Sequence, residues 1–208
     1  MVGRRAGQGG RRCRAGRSAW LHDPGRWQVE PVELRGDGLV LRCWSPGDAP
    51  AVHAACQDPL VQRWTTVPVP YTAEHARAFV EQAPARWAVG LPAFGVYDAT
   101  SGAVLGAHGV VGAPEPDVYE LGLWVAAPER GRGVARAATR LVAAFAFARL
   151  GAVRLEWQAE VGNWPSRRVA EACGFVVEGT LRGRLAGRGD HPGRADAWMA
   201  GLLPEDLR

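Results

Sequence analysis

A chain of 208 residues is one domain of ordinary size, and its 47% hydrophobic content with nine Trp fits a folded globular protein with a real core. No apolar run reaches the length of a membrane span, which excludes a transmembrane helix. All basic residues are Arg; residues 1–27 hold seven Arg against one Asp, a net of +6, and residues 28–208 hold eighteen Arg against twenty acids, a net of −2, so the basic character belongs to the tail and argues against a nucleic-acid-binding body.

Residues 1–28 are rich in Gly and Arg, with little that could pack, and are expected to be a disordered tail preceding a single domain over 29–208. One reading of the tail is an arm that contacts RNA or the ribosome; the other is a segment of no function, or a start assigned too far upstream. It has no apolar stretch of the kind a secretory signal needs. Cys13, Cys43, Cys56 and Cys173 are scattered without a Cys-x-x-Cys spacing, as expected of reduced thiols in a cytoplasmic protein.

Order is expected from Pro31. Val32–Arg35 and Leu39–Cys43, joined by Gly36-Asp37-Gly38, read as a hairpin. Ser45-Pro46-Gly47-Asp48 opens a helix to about Gln57, with Asp48 as a candidate N-cap. A short helix near Leu60–Trp64 and a Pro-rich loop over 67–70 follow. Thr72 caps a helix to about Gln82, which Pro84 bends or ends. Strands are expected at 92–98 and 103–112.

The next stretch, residues 120–135, organises the chain. Tyr119, Leu121, Leu123 and Val125 alternate with Glu120, Gly122 and Trp124, as on a strand. Pro128 stops it, and Gly131 and Gly133 permit backbone conformations that a Cβ penalises. From Val134 apolar residues recur at helical spacing through Ala138, Leu141, Val142, Phe145 and Ala148. A glycine loop feeding a helix leaves first-turn N–H groups unpaired at the positive end of the dipole, a site for an anion and above all a phosphate. A phosphate-bearing ligand is therefore expected at residues 130–136.

Beyond the helix, Val153–Ala159 reads as a strand, Pro165 starts a helix that Gly174 ends, and 175–178 and 197–203 read as strands. Residues 183–194, rich in Gly and Arg, are expected to be a loop. The element order implies an α/β sheet of mixed direction with helices on both faces. The chain lacks the Lys of a Walker loop. A Rossmann unit is reduced rather than removed as a reading, because Glu156 could stand for its ribose-binding acid.

The loop Arg130-x-x-Gly133-x-Ala135 resembles the acyl-CoA loop of the GNAT acetyltransferases, Arg/Gln-x-x-Gly-x-Gly/Ala. Glu120-Leu-Gly-Leu-Trp124 is similar to the preceding strand of the RimJ/RimL type, the ribosomal-protein N-terminal acetyltransferases and their relatives. Asn163-x-x-Ser166-Arg-Arg-Val169-Ala-Glu-x-x-Gly174-Phe175-x-x-Glu178-Gly179-x-x-Arg182 resembles that type almost throughout, as Asp196-Ala-Trp198 resembles its last strand. The resemblance covers about residues 31–207. It implies a GNAT fold: a mixed, mostly antiparallel sheet of six to seven strands whose splayed central strands hold acetyl-CoA.

The resemblance further implies that backbone amides of Gly131, Gly133, Val134 and Ala135 hold the pyrophosphate, with Arg130, Arg132 and Arg136 beside them. Amides near Trp124 and Val125 would pair with pantetheine and polarise the acetyl carbonyl. Ser166 matches the position that protonates the leaving thiolate; otherwise it tidies its helix end. Asn163 matches a position near the CoA arm and is equally a helix N-cap. Glu120 is the candidate base, against a plain salt-bridged strand residue. A free Glu, pKa about 4.3, is a weak base, but at pH 7 about a tenth of an α-amine is already neutral, against fewer than about one in a thousand Lys side chains.

The expected activity is thus acetyl-CoA-dependent N-acetylation of a primary amine, a protein or peptide α-amine first. The alternatives are a small amine (antibiotic, polyamine or amino acid) and a non-catalytic CoA-binding regulator. The acceptor pocket is expected from segments 57–72 and 183–194. Arg140 is read as part of a solvated helix face, Cys173 as core, and Trp164 as a candidate wall of the acceptor cleft. No metal is expected, because His53, His75, His108 and His191 have no ligand spacing. No membrane association is expected, and the protein is expected as a monomer or homodimer.

Overall fold

The computed structural model of the chain describes residues 29–188 and 193–208. The expectations for the tail and for His191 lie outside the described residues.

Eight strands form one sheet: β1 (Leu34–Gly36), β2 (Leu39–Cys43), β3 (Ala93–Asp98), β4 (Val104–Glu115), β5 (Val118–Val125), β6 (Arg154–Glu160), β7 (Val176–Ala186) and β8 (Arg194–Leu202). Their order is β1-β2-β3-β4-β5-β6-β8-β7. Every neighbouring pair is antiparallel except β5 and β6, which are parallel. The sheet has one or two strands more than the expected six to seven.

The helices are α1 (Ala49–Ala55), α2 (Pro59–Trp64), α3 (Ala73–Glu81), α4 (Ala83–Ala88), α5 (Val134–Arg149) and α6 (Trp164–Cys173). Thr72 caps α3 by accepting the His75 N–H, as its sequence suggests. The helix ends where expected, at Glu81 with Gln82 as C-cap, and Pro84 lies in the first turn of the following α4, where its missing N–H costs nothing. Asp48 does not cap α1 with its side chain. Instead its carboxylate accepts bonds from the Ser45 N–H at 2.8 Å, the Ser45 hydroxyl at 2.9 Å, the Tyr97 hydroxyl at 2.7 Å and Arg42 at 3.2 Å.

The sheet has an apolar layer on each face. On one, Tyr119 and Leu121 of β5, Leu155 and Trp157 of β6 and Trp198 of β8 pack with Val142, Phe145 and Ala146 of α5 and Cys173 of α6. On the other, Trp124 of β5 and Tyr97 of β3 pack with Trp44 and with residues of α1, α2 and α3. On α5 it is Ala143 and Ala146 that complete the buried stripe, while Ala148 is exposed.

Residues 183–194 are not a loop throughout. β7 runs on to Ala186 and β8 begins at Arg194, so a long hairpin projects beyond the body of the sheet. Its pairing is irregular between Leu181 and Leu185. Asp196 accepts the Gly183 N–H at 2.7 Å, and Arg194 donates to the Gly183 and Arg184 carbonyls, each at 2.7 Å.

Candidate functional site

The register of the one parallel pair fixes the site. β5 and β6 pair only at Val118 with Arg154, Tyr119 with Leu155 and Glu120 with Glu156. β5 then continues for five residues and β6 for four, without pairing to each other. The strands therefore splay from Glu120 onward, and the edge of β5 that turns toward β6 has no ladder partner from Leu121 to Val125. That is where Trp124 and Val125 were expected to offer backbone groups. The Trp124 side chain itself is buried and stacks on Trp44 with ring centroids 6.4 Å apart.

Alternation assigns the faces on either side of this gap. Glu120, Trp124, Glu156, Gln158 and Glu160 belong to the face covered by α1–α3; Tyr119, Leu155, Trp157 and Ala159 belong to the face covered by α5 and α6.

At the end of β5 a short 3-10 turn, Ala127–Glu129, leads into the glycine loop. Gly131 and Gly133 have φ of 78° and 82°, the left-handed region, and a Cβ at either would meet nothing within 4 Å. Gly133 is the residue before the first turn of α5, so the loop bends the chain sharply into the helix and leaves open space above its first N–H groups. Thr139 buttresses that turn from inside: its hydroxyl donates to the Ala135 carbonyl at 2.8 Å and lies 2.9 Å from Nε2 of buried His108 on β4. Since the Thr hydrogen is already given, Nε2 carries the imidazole's proton. Burial holds His108 neutral, its pKa pushed down to about 3.

The three arginines of α5's start do not act alike. Arg130 turns away: it donates to Asp58 and to the Val125 carbonyl. Asp58 in turn caps α2 by accepting the Leu60 and Val61 N–H groups at 3.1 and 2.9 Å. The Arg130 guanidinium holds its carboxyl below the usual range. Arg132 pairs with Glu129. Arg132, Arg136 and Arg140 all line an open depression of about 310 Å³ with Asp37 and Gly133. Arg140, read from sequence as a merely solvated position, thus joins the other two.

Ser166 lies in the first turn of α6 and is half-buried. Asn163 is the N-cap of that helix and is buried; its Oδ1 accepts the Ser166 N–H at 3.3 Å. Trp157 donates its indole N–H to Ser166 Oγ at 3.0 Å. An oxygen that accepts from Trp157 keeps its own hydrogen to donate elsewhere. Only the packing of β6 against α6 brings the Trp157 N–H here. Trp164 packs on Trp198 at a tilt of 56° with centroids 4.6 Å apart, on the α6 face and not on the face that carries Glu120.

Glu120 is half-buried on the opposite face and accepts a bond from Gln158 Nε2 at 3.2 Å across the gap. Burial raises its pKa, helped by Glu156 and opposed by Arg184. Two ion pairs hold α2 over this face: Arg130 with Asp58 at its start, and Arg63 with Glu160, at the end of β6, at its finish. Neither pairing, 72 and 97 residues apart, is signalled by the sequence.

Cys173 is fully buried, its thiol donates to the Arg136 carbonyl at 3.6 Å, and burial pushes its pKa up, so it has none of the thiolate character of a nucleophile. Among the described residues no group of three or more His, Cys, Asp or Glu could hold a metal ion, and no helix is long and apolar enough to cross a membrane.

Residues 38–176 match the family described as the acetyltransferase (GNAT) domain. The chain is 40% identical over 72 residues to YdaF of Bacillus subtilis (strain 168), a candidate ribosomal N-acetyltransferase; the match covers 35% of this chain and only 39% of YdaF. Among solved structures, a candidate acetyltransferase from T. thermophilus superposes with a TM-score of 0.71 at 27% identity, covering 86% of this chain and 92% of that one. RimJ of Mycobacterium smegmatis, solved in complex with CoA-disulfide, gives a TM-score of 0.71 at 24% identity over 88% of this chain and 90% of its own.

Proposed function

The chain belongs to the acetyltransferase (GNAT) family, in which its likeness is to the RimJ/RimL type, and from that premise we propose that it moves an acetyl group from acetyl-CoA directly to a primary amine, a protein or peptide N-terminal α-amine. The observation that carries this reading is the gap between β5 and β6, with Ser166 on one side of the sheet and Glu120 on the other.

Acetyl-CoA enters from the α5 side. Its pyrophosphate sits over the amides of Gly131, Gly133, Val134 and Ala135 at the start of α5, with Arg132 and Arg136 alongside. Arg130 serves by holding the loop to Asp58 and to the Val125 carbonyl. The pantetheine arm lies in the gap against the unpaired edge of β5 at Trp124 and Val125, next to Asn163 at the start of α6. The amine arrives from the α2 side. Its nitrogen attacks the thioester carbon, the C–N bond forms, and the C–S bond breaks. Glu120 takes the proton lost from nitrogen, directly or through water, and the Ser166 hydroxyl donates to the departing sulfur. A carboxylate raised above its ordinary range is a better base for an α-amine than a free Glu.

A small cationic amine is the second reading. It is disfavoured by the arginines that interleave with the carboxylates of the Glu120 face, since a polyamine or aminoglycoside site needs an excess of acid there. The deciding experiment is CoA-thiol release from acetyl-CoA, with a panel of N-terminal peptides and a panel of small amines. Turnover of peptides is expected. Turnover confined to one amine class would replace the proposal with the second reading, and acetyl-CoA binding without turnover would make the protein a CoA-binding regulator.

A further inference from the structure

On the side of β5 away from the gap, the ladder to β4 slips. Val110 pairs with Leu121 and Gly112 with Glu120, so Val111 is an extra residue on β4. A bulge of this kind re-aims the side chains beside it. Here positions 111 and 112 both turn to the face that carries Glu120. A Cβ placed on Gly122, which shares that face, would stand 2.6 Å from Cγ1 of Val111, and one placed on Gly112 would stand 3.8 Å from Oε2 of Glu120. The residue before the bulge is held from outside β5: the Val110 N–H donates to the Pro92 carbonyl at 3.0 Å, and Arg86 donates to the Val110 carbonyl.

The bulge thereby shapes the floor around the Glu120 carboxylate. Gln158 bonds that carboxylate from the β6 side. On the β4 side Gly112 presents no side chain, so an acceptor can come down beside the carboxylate. One step along the same face of β5, about 7 Å away at the rise of a strand, Gly122 has no side chain either, and Val111 takes the place above it. Val111 is 52% exposed, and its branched side chain is stiff. It therefore offers a fixed apolar wall with surface still to cover. In a peptide the first side chain branches from the carbon that bears the amine, so a nitrogen held at Glu120 brings that side chain to this wall. An aliphatic group gains by covering Val111, whereas a charged one loses water there without gaining a partner from the valine.

We propose that Val111 is a specificity-determining residue of the acceptor site, packing against the first side chain of the peptide and selecting an aliphatic first residue over glycine and over a charged one. This rests on the reading of the gap as an acetyltransferase site.

The test uses the full chain, acetyl-CoA and peptides that differ only in their first residue, Gly, Val, Asp or Lys. The kcat/KM for the Val peptide is expected to be about tenfold that of the Gly peptide, with Asp and Lys lower still. Val111→Ala removes the wall, and Val111→Thr keeps its branched shape but adds a hydroxyl. Each should bring the Val and Gly peptides to within about twofold of each other. The KM for acetyl-CoA should stay unchanged, which also reports that each variant is folded. Equal turnover of the Val and Gly peptides by the unaltered protein, a preference for the Asp or Lys peptide, or a Val preference that survives both variants overturns the role of Val111 and leaves the acetyltransferase reading intact. No turnover of any peptide overturns the peptide reading and the role of Val111 with it.

Discussion

Ser166 and Glu120 are each shaped by one neighbour. Trp157 fills the accepting side of the serine oxygen, so the hydroxyl is set to donate. Ser166→Ala should lower kcat about 10²-fold with little change in acetyl-CoA affinity, measured by steady-state kinetics beside direct binding; equal turnover would reduce Ser166 to a helix-end residue. Glu120 is raised by burial, so its basic form is populated only above the usual carboxylate range. The acid limb of kcat/KM should therefore lie above about pH 4.3 and vanish in Glu120→Gln, with a loss of about 10²-fold at neutral pH. For stability the sign is the opposite of the common acid case. A raised carboxyl favours the fold below its unfolded pKa, and that contribution is lost as pH rises through the folded value. Glu120→Gln should thus leave the neutral-pH melting temperature equal or higher, and a marked drop would mean that the carboxylate has a structural partner that outweighs its burial.

At the scale of elements, the site is the junction of β5, a glycine loop and α5. The loop works because two glycines hold positive φ and present no side chain above the first turn. Gly133→Glu should abolish acetyl-CoA binding in calorimetry, since a carboxylate would occupy the phosphate position and φ of 82° strains any side chain; unchanged affinity would refute the placement of the loop. Beneath it, Thr139 links the Ala135 carbonyl to His108. Thr139→Val keeps the shape and strands the Nε2–H, at a cost of about 1–3 kcal/mol of stability in denaturant unfolding. Unaltered stability would show that the imidazole finds another acceptor.

Across the whole molecule, the α1–α3 layer is tied to the sheet through Asp48. Burial alone would raise its carboxyl, but bonds from the Ser45 N–H, Tyr97, Arg42 and the Ser45 hydroxyl outweigh it and hold the group below the ordinary range. That stabilisation is complete above the unfolded pKa near 4 and is lost as pH falls through the folded value. Asp48→Asn should cost about 2–3 kcal/mol at pH 7 in urea unfolding, with the gap closing toward acid pH; a gap independent of pH would mean that packing, and not charge, is what the variant loses. The glycine loop, the strand before it and the helix after it were legible in the sequence because each has a local signature: alternation, positive-φ glycines and a 3.6-residue period. The β7–β8 hairpin was not, since Gly183 and Gly187 read as turn residues and the strand survives there through Asp196 and Arg194, which bond its backbone from the other arm. Asp48 looked like a cap because its partners Tyr97 and Arg42 come from two strands that meet only in the folded sheet. For the same reason nothing near Ser166 in sequence announced Trp157, or near Arg130, Asp58.

Helix α2 is fastened at one end to the loop that follows β5 and at the other to the tip of β6, the two strands that part. It is a strut across an opening. On the proposed reading, a brace of this kind sets the width of the slot before the thioester arm enters, so that less ordering is left to oppose its entry. It also joins the two walls through the six residues of α2, from the glycine loop to the tip of β6.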